Sequence, residues 1–164
     1  MHLAHGMKVA DFGTGNGAYA FALSHAVGPQ GHVYAFDVQK DLLTKLKNEA
    51  QAKRIRNIEV LWTDLDHPGG GKLSEGTVDA VVVTNTLFQS EHKQNFLTSA
   101  KYILRPGGEL LLIDWVDSFA GMGPHKSQLL PEPQAKTLLE QAGFMHKNSF
   151  FAGSHHYGLL YIKP

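Results

Sequence analysis

Three acids and three glycines hold the chemistry that this sequence can do. In the stretch Lys8-Val9-Ala10-Asp11-Phe12-Gly13-Thr14-Gly15-Asn16-Gly17 an apolar run ends in an acid, and glycine then occupies every second position. Glycine permits positive φ and lets a ligand lie against the main chain. A helix opening near Asn16 would point its free N–H groups at the same spot. A ligand should therefore sit across this turn. Asp11 bears on its charge. A buried carboxylate repels a pyrophosphate, but it is a natural neighbour, directly or through a relay, of a cation that carries an amino group. The simpler role for Asp11 is to tie down its own loop. Asp37 follows Gly17 by twenty residues and closes a second apolar run. Its two oxygens can accept both hydroxyls of an adenosine ribose, or it can cap the helix that opens near Lys40. Asp64 lies just past a third apolar run. It can accept from an adenine amino group while the next backbone N–H reaches a ring nitrogen; it reads equally as a loop acid.

The elements that must position these residues follow from hydrophobic period and breakers. Met7 to Phe12 is the first strand. Asn16 to about Val27 is a helix, with Tyr19, Leu23 and Val27 at helical spacing, stopped by Gly28-Pro29-Gln30-Gly31. His32 to Asp37 is apolar on both faces, as in a covered parallel strand. Asp41 to about Arg54 is a helix with Leu42, Leu43, Leu46 and Ala50 inward. The cluster Lys53-Arg54-Ile55-Arg56 suits a helix C-terminus; without interleaved aromatics it is a poor nucleic-acid patch. Ile58 to Trp62 is the third strand. His67 to Gly76, with Pro68-Gly69-Gly70-Gly71, is a loop too short for an ordinary helix, which leaves one face of the sheet thinly covered. Val78 to Val83 is the fourth strand. Ser90 is the expected N-cap of a helix from Glu91 to Leu104. After Arg105-Pro106-Gly107-Gly108 comes a fifth strand, Glu109 to Trp115. A long connection then leads to a helix, Glu132 to Ala142, and to two strands, Phe144 to Ala152 and Tyr157 to Ile162, at hairpin spacing. Strands alternating with helices predict a doubly wound α/β fold with a mainly parallel sheet.

Composition narrows the function classes. The 164 residues are expected to form one domain, with a 43% hydrophobic fraction that is ample for a core. Fifteen basic and fifteen acidic residues cancel, so no global field recruits nucleic acid or an anionic membrane. The absence of cysteine excludes disulfides and thiolate metal sites. No apolar run approaches a membrane span and no signal peptide is visible, so a cytoplasmic protein is expected. His155 and His156 are adjacent; on a strand they point to opposite faces, so no metal site is expected there.

The glycine turn contains two patterns. Gly13, Gly15 and Ala18 fit the dinucleotide fingerprint. Asp11, Gly13, Gly15 and Gly17 resemble the acid-x-Gly-x-Gly-x-Gly signature of class I S-adenosylmethionine-dependent methyltransferases. The resemblance extends from about Gly6 to the C-terminus, through Asp37, Asp64-Leu65, Leu104-Arg105-Pro106-Gly107-Gly108 and Leu138-Leu139-Glu140-Gln141-Ala142-Gly143-Phe144. The last two stretches are similar to those of ubiquinone/menaquinone-biosynthesis-like and type 11 methyltransferases. It implies a Rossmann-like seven-stranded sheet of order 3-2-1-4-5-7-6 with the last strand antiparallel. It also implies a cofactor, S-adenosylmethionine, leaving as S-adenosylhomocysteine. Gly13, Thr14, Gly15 and Gly17 would pass under the methionine moiety, and Asp11 would face its amino group. Asp37 would hold the ribose, Val38 would pack on adenine, Asp64 and Leu65 would read the adenine edge, and Asn85 would offer its carbonyl near the amino group.

On the acceptor side the expectations are Phe88 and Trp115 as aromatic walls and Asp114, His125 or His92 as a base, should the acceptor hold a proton when attacked. Thr84-Asn85-Thr86-Leu87-Phe88 departs from the Asn/Asp-Pro-Pro-aromatic motif, which argues against methylation of adenine N6 or glutamine. Only six residues precede Met7, where the resemblance implies roofing helices. The expectation is an open site, one covered by a second copy or a partner subunit, or a large acceptor that supplies its own cover. The leading reading is a methyltransferase acting on a small-molecule O, C or N acceptor. The alternatives are a cofactor-binding domain that needs a partner for catalysis and, on the Gly13-x-Gly15-x-x-Ala18 pattern, a nicotinamide-dependent reductase.

Overall fold

The computed structural model describes residues 1–119, 121 and 123–164. Its strands are β1 (Lys8–Phe12), β2 (His32–Asp37), β3 (Ile58–Trp62), β4 (Val78–Thr84), β5 (Leu104–Trp115), β6 (Met145–Phe151) and β7 (His156–Ile162). Its α-helices are α1 (Ala18–Val27), α2 (Lys40–Ala52), α3 (Lys93–Ile103) and α4 (Glu132–Gln141). The strands form one sheet of order β3-β2-β1-β4-β5-β7-β6. The first five run parallel, and β7 is antiparallel to both β5 and β6. This is the expected order and polarity.

The alternation of strand side chains distributes the core. Val9 of β1 and Ala80 and Val82 of β4 pack with Ala20, Leu23 and Val27 of α1 and Leu46 of α2. Their neighbours Ala10, Phe12, Val81 and Val83 face the other way, onto Phe96, Leu97 and Ile103 of α3 and Leu139 of α4. One face of the sheet thus carries α1 and α2, and the other α3 and α4. No helix separates β3 from β4. The chain reverses direction across the sheet between β1 and β4, and ligands in open α/β sheets bind at such a switch point.

Several boundaries differ from those expected, among them the start of β5, which lies at Leu104 rather than Glu109. The first helix starts at Ala18 rather than Asn16, because Gly17 is its N-cap in the left-handed region, φ 82°. The second helix ends at Ala52, two residues before Arg54, and Leu42 is half-buried while Leu43, Leu46 and Ala50 are buried. Ser90 does not cap α3. A single 3-10 turn, Leu87–Gln89, follows β4, and α3 starts at Lys93. Asp66, from the β3–β4 loop, instead holds the three residues that lead into α3. Its carboxylate accepts from the Ser90 hydroxyl at 2.5 Å and from the N–H groups of Glu91 at 2.7 Å and His92 at 3.3 Å.

Candidate cofactor and acceptor site

Tight backbone geometry sets the turn after β1. Gly13 and Thr14 both donate their N–H to the Phe36 carbonyl, at 2.9 and 2.8 Å. Gly13 has φ 79°, and a Cβ there would lie 2.3 Å from Thr86 Oγ1. At Gly17 a Cβ would lie 2.5 Å from Leu46 Cδ1. These two glycines let other parts of the protein approach. Gly15 differs, since nothing lies within 4 Å of where its Cβ would be. Its bare face opens on a cavity of about 740 Å³, a size suited to a small organic ligand or cofactor.

The cavity lies at the carboxyl ends of the parallel strands. Gly13, Thr14, Gly15, Asp37, Val38, Asp64, Leu65 and Asn85 all line it, so the structure brings together eight of the ten residues expected on the cofactor side. Asp11 and Gly17 do not line it. Asp11 lies fully buried behind the turn and accepts the Thr14 hydroxyl at 2.7 Å through Oδ2, while Oδ1 has no partner among the described residues. Burial pushes its carboxyl up to about 6; the Thr14 bond opposes this and the neighbouring Asp37 charge adds to it. Asp37 itself receives the Gly15 N–H on Oδ2 and the Gln39 N–H on Oδ1, both at 2.9 Å. Asn85 adopts φ 52°, and its side-chain Oδ1 is buried without a partner among the described residues.

The acceptor-side residues lie elsewhere. Phe88, Asp114, Trp115 and His125 are not among the lining residues. Asp114 is turned back into the protein, where it accepts the N–H of Phe88 at 3.0 Å and of Trp115 at 2.9 Å. Burial raises its carboxyl to about 6 against these bonds and the Lys93 charge. Phe88 packs against the core, and Trp115 lies against His156 with ring centroids 4.1 Å apart. His125 caps a 3-10 turn by accepting the Ser127 N–H. His92 does line the cavity, with Tyr19, Asp66, Gln89 and Glu91. Of these, Tyr19 was read from the sequence at helical spacing with Leu23 and Val27; it is 43% exposed, in the first turn of α1 beside the cavity. No local pattern marked Asp66, since its partners come from more than twenty residues away. Burial pushes the Asp66 carboxyl up, but the bonds from Ser90, Glu91 and His92 outweigh this and hold it below the usual range.

The charge of the cavity is one-sided. Asp37, Asp64, Asp66 and Glu91 line it, and no lysine or arginine does. Such a wall favours a cation and disfavours a pyrophosphate. Fold and cavity together define a doubly wound α/β domain with an acidic ligand site at its switch point.

The chain belongs to the methyltransferase domain family, whose model matches residues 3–153. A crystal structure of an S-adenosylmethionine-dependent methyltransferase from Aquifex aeolicus superposes with a TM-score of 0.88 at 29% identity, covering 97% of this chain and 83% of that one. An arsenite methyltransferase of Halobacterium salinarum is 24% identical over 156 residues, 87% of this chain and 38% of the relative. A ubiquinone/menaquinone biosynthesis C-methyltransferase of Stutzerimonas stutzeri is 27% identical over 115 residues, 68% of this chain and 43% of the relative. The chain spans between 38% and 62% of the length of the first three curated relatives it matches. S-adenosylmethionine is the cofactor of this class I fold. The cavity fits it on two counts: an acidic wall for a sulfonium and an open main-chain bed at Gly15.

Proposed function

We propose that this protein transfers a methyl group from S-adenosylmethionine to a small organic acceptor. The acidic cavity across the Gly13–Gly15 turn carries this reading, because its charge suits a sulfonium and not a dinucleotide. When bound, the cofactor supplies an activated methyl group. The residues do the rest. Gly13, Thr14 and Gly15 form the bed. Asp37 spends one lone pair of each oxygen on the Gly15 and Gln39 N–H groups, which leaves the others for two ribose hydroxyls. Val38, 56% exposed, offers an apolar floor for adenine, and the Trp62 indole fixes it by donating to its carbonyl at 2.9 Å. Asp64 and Leu65 face the adenine edge. Asp11, behind the turn, acts on the ligand's amino group through Thr14.

The acceptor enters on the side of Tyr19, Gln89, Glu91 and His92. That wall is polar and acidic, which suits an acceptor with hydrogen-bonding groups. His92 sits where an imidazole nitrogen can take the proton that a hydroxyl or an acidic carbon releases. Arsenite is thiophilic and calls for thiolate ligands. With no cysteine in the chain, an organic acceptor is favoured over the arsenite named for one relative.

Isothermal titration with S-adenosylhomocysteine, with NADH in a parallel cell, tests the cofactor half. Micromolar binding of the first and none of the second is expected; a signal from NADH alone would sink the reading. Methyl transfer from labelled cofactor to phenolic and carbon-acid panels, with arsenite beside them, tests the acceptor class. Turnover of arsenite alone would reverse the preference.

A further inference from the structure

At the opposite end of the sheet lies a second depression, of about 570 Å³, between the C-terminal ends of α1 and α2. Its chemistry is the reverse of the cofactor cavity. Arg54, Arg56, His5 and His25 line it, and no carboxylate does. Phe21 and Ile55 supply apolar wall. Among the described residues, neither guanidinium is held by a hydrogen bond or an ion pair. Lys53, nearby, is already paired with Glu49 at 2.6 Å and lies over the Phe21 ring.

Basic residues gather at helix C-termini to satisfy exposed carbonyls, but here the carbonyls are otherwise engaged. The Asn57 amide donates to the carbonyls of Ser24 at 3.2 Å and Gly28 at 2.8 Å. Gly6 N–H takes the Val27 carbonyl at 2.8 Å. At the end of α2 the N–H groups of Lys53, Arg54 and Ile55 take the carbonyls of Glu49, Gln51 and Ala50. The arginines are left over from helix capping.

The backbone of Arg54 is the second observation. The chain leaves α1 and α4 through left-handed glycines, Gly28 at φ 68° and Gly143 at φ 81°. It leaves α2 through Arg54 at φ 57°. Glycine adopts that conformation freely and arginine does not. That conformation closes the C-cap, in which the N–H groups of Ile55 and Arg54 reach back to the carbonyls of Ala50 and Gln51, and Arg54 then lines the depression beside Arg56.

We propose that this depression is a second ligand site, which takes the phosphate group of a small molecule between Arg54 and Arg56. Two guanidinium forks match the oxygens of such a group. An open hollow on a chain of zero net charge, with no row of stacking aromatics, suits a small ligand better than a nucleic-acid backbone.

Titration of the whole chain with inorganic pyrophosphate, in the presence of saturating S-adenosylhomocysteine, tests this site. Saturable binding is expected, weakened at least tenfold by Arg56→Gln and by Arg54→Gly. Arg54→Gly separates binding from folding, because it relieves strain while removing the guanidinium. Its melting temperature should rise as pyrophosphate affinity falls, with S-adenosylhomocysteine affinity unchanged within twofold. Absence of saturable pyrophosphate binding, or equal binding by the wild type and both variants, would overturn the proposal. So would tighter binding of a single-stranded RNA oligomer than of pyrophosphate, lost in the same variants.

Discussion

Oδ2 of Asp37 accepts the N–H of Gly15 at 2.9 Å across a sequence separation of 22 residues. The end of β2 thereby holds the tip of the turn that follows β1. The acid proposed to bind ribose also shapes the main-chain bed beside it. Both features were legible in the sequence, but their bond was not, since nothing in either stretch names the other.

That bond makes Asp37 a stability residue as well as a binding one. Asp37→Ala removes the acceptor for Gly15 and for Gln39, and a charge-assisted bond of this kind contributes about 1.5–3 kcal/mol. Urea unfolding of the ligand-free protein should show a loss in that range, and S-adenosylhomocysteine affinity should fall at least tenfold. An unchanged midpoint in the free protein would mean that Asp37 does not hold the turn.

The glycines of the turn should separate in the same assays. Gly17→Ala places a Cβ 2.5 Å from Leu46 Cδ1 in a left-handed backbone, so strain and overpacking add to about 2–5 kcal/mol. Gly15→Ala meets no protein atom within 4 Å and costs only the left-handed penalty, about 1–2 kcal/mol. Its methyl group instead points into the space proposed for the cofactor. Melting temperature should drop more for Gly17→Ala, and ligand affinity more for Gly15→Ala. The reverse order would put the cofactor on the wrong side of the turn.

Sequence reading succeeded where the signal is local and failed where partners come from afar. The strands and helices followed from apolar runs, alternation and breakers, while their order in the sheet and the antiparallel β7 came from the family resemblance. The bed of the cavity followed because glycine spacing and strand-terminal acids are local features. Asp114 and Trp115 were expected at the mouth because they end a strand. The structure turns the Asp114 carboxylate back onto the N–H groups of Phe88 and Trp115, and Trp115 lies against His156. His125 was attractive for its chemistry, yet its ring caps a turn in its own loop. Ser90 has the composition of an N-cap, but it lies three residues before α3 begins and its hydroxyl donates to Asp66 instead.

Asp66 therefore links two walls of the cavity, the β3–β4 loop proposed to meet adenine and the segment before α3 proposed to meet the acceptor. Asp66→Ala removes the acceptor of three bonds ahead of α3 and should cost about 1.5–3 kcal/mol, as loss of a hydrogen bond to a charged group does, whereas Ser90→Ala should cost less because two backbone N–H bonds to Asp66 remain. If Asp66 positions the acceptor wall, KM for the acceptor should rise more than kcat falls. A pure kcat loss with unchanged KM would assign Asp66 another role.

Acid should stabilise one part of this protein. The Asp11 carboxyl rises from the ordinary 3.8 to about 6 through burial, so between these values the folded state binds more protons than the unfolded one. Its contribution is fully present below about pH 4 and is lost as pH rises through 6, a total on the order of 3 kcal/mol. Asp66, Asp79 and Glu109 shift downward, so they act below the ordinary carboxylate range and leave pH 5 to 7.5 largely untouched. Asp114, raised to about 6 like Asp11, and His156, lowered by burial and by His155, do titrate in this window. Comparison with Asp11→Asn removes both. Urea melts of the wild type and the variant at pH 5 and pH 7.5 should show the wild type losing on the order of 1 kcal/mol more on going to the higher pH. Parallel pH profiles for the two proteins would show that Asp11 is hydrated or paired in solution, and with that the relay from Asp11 through Thr14 would lose its basis.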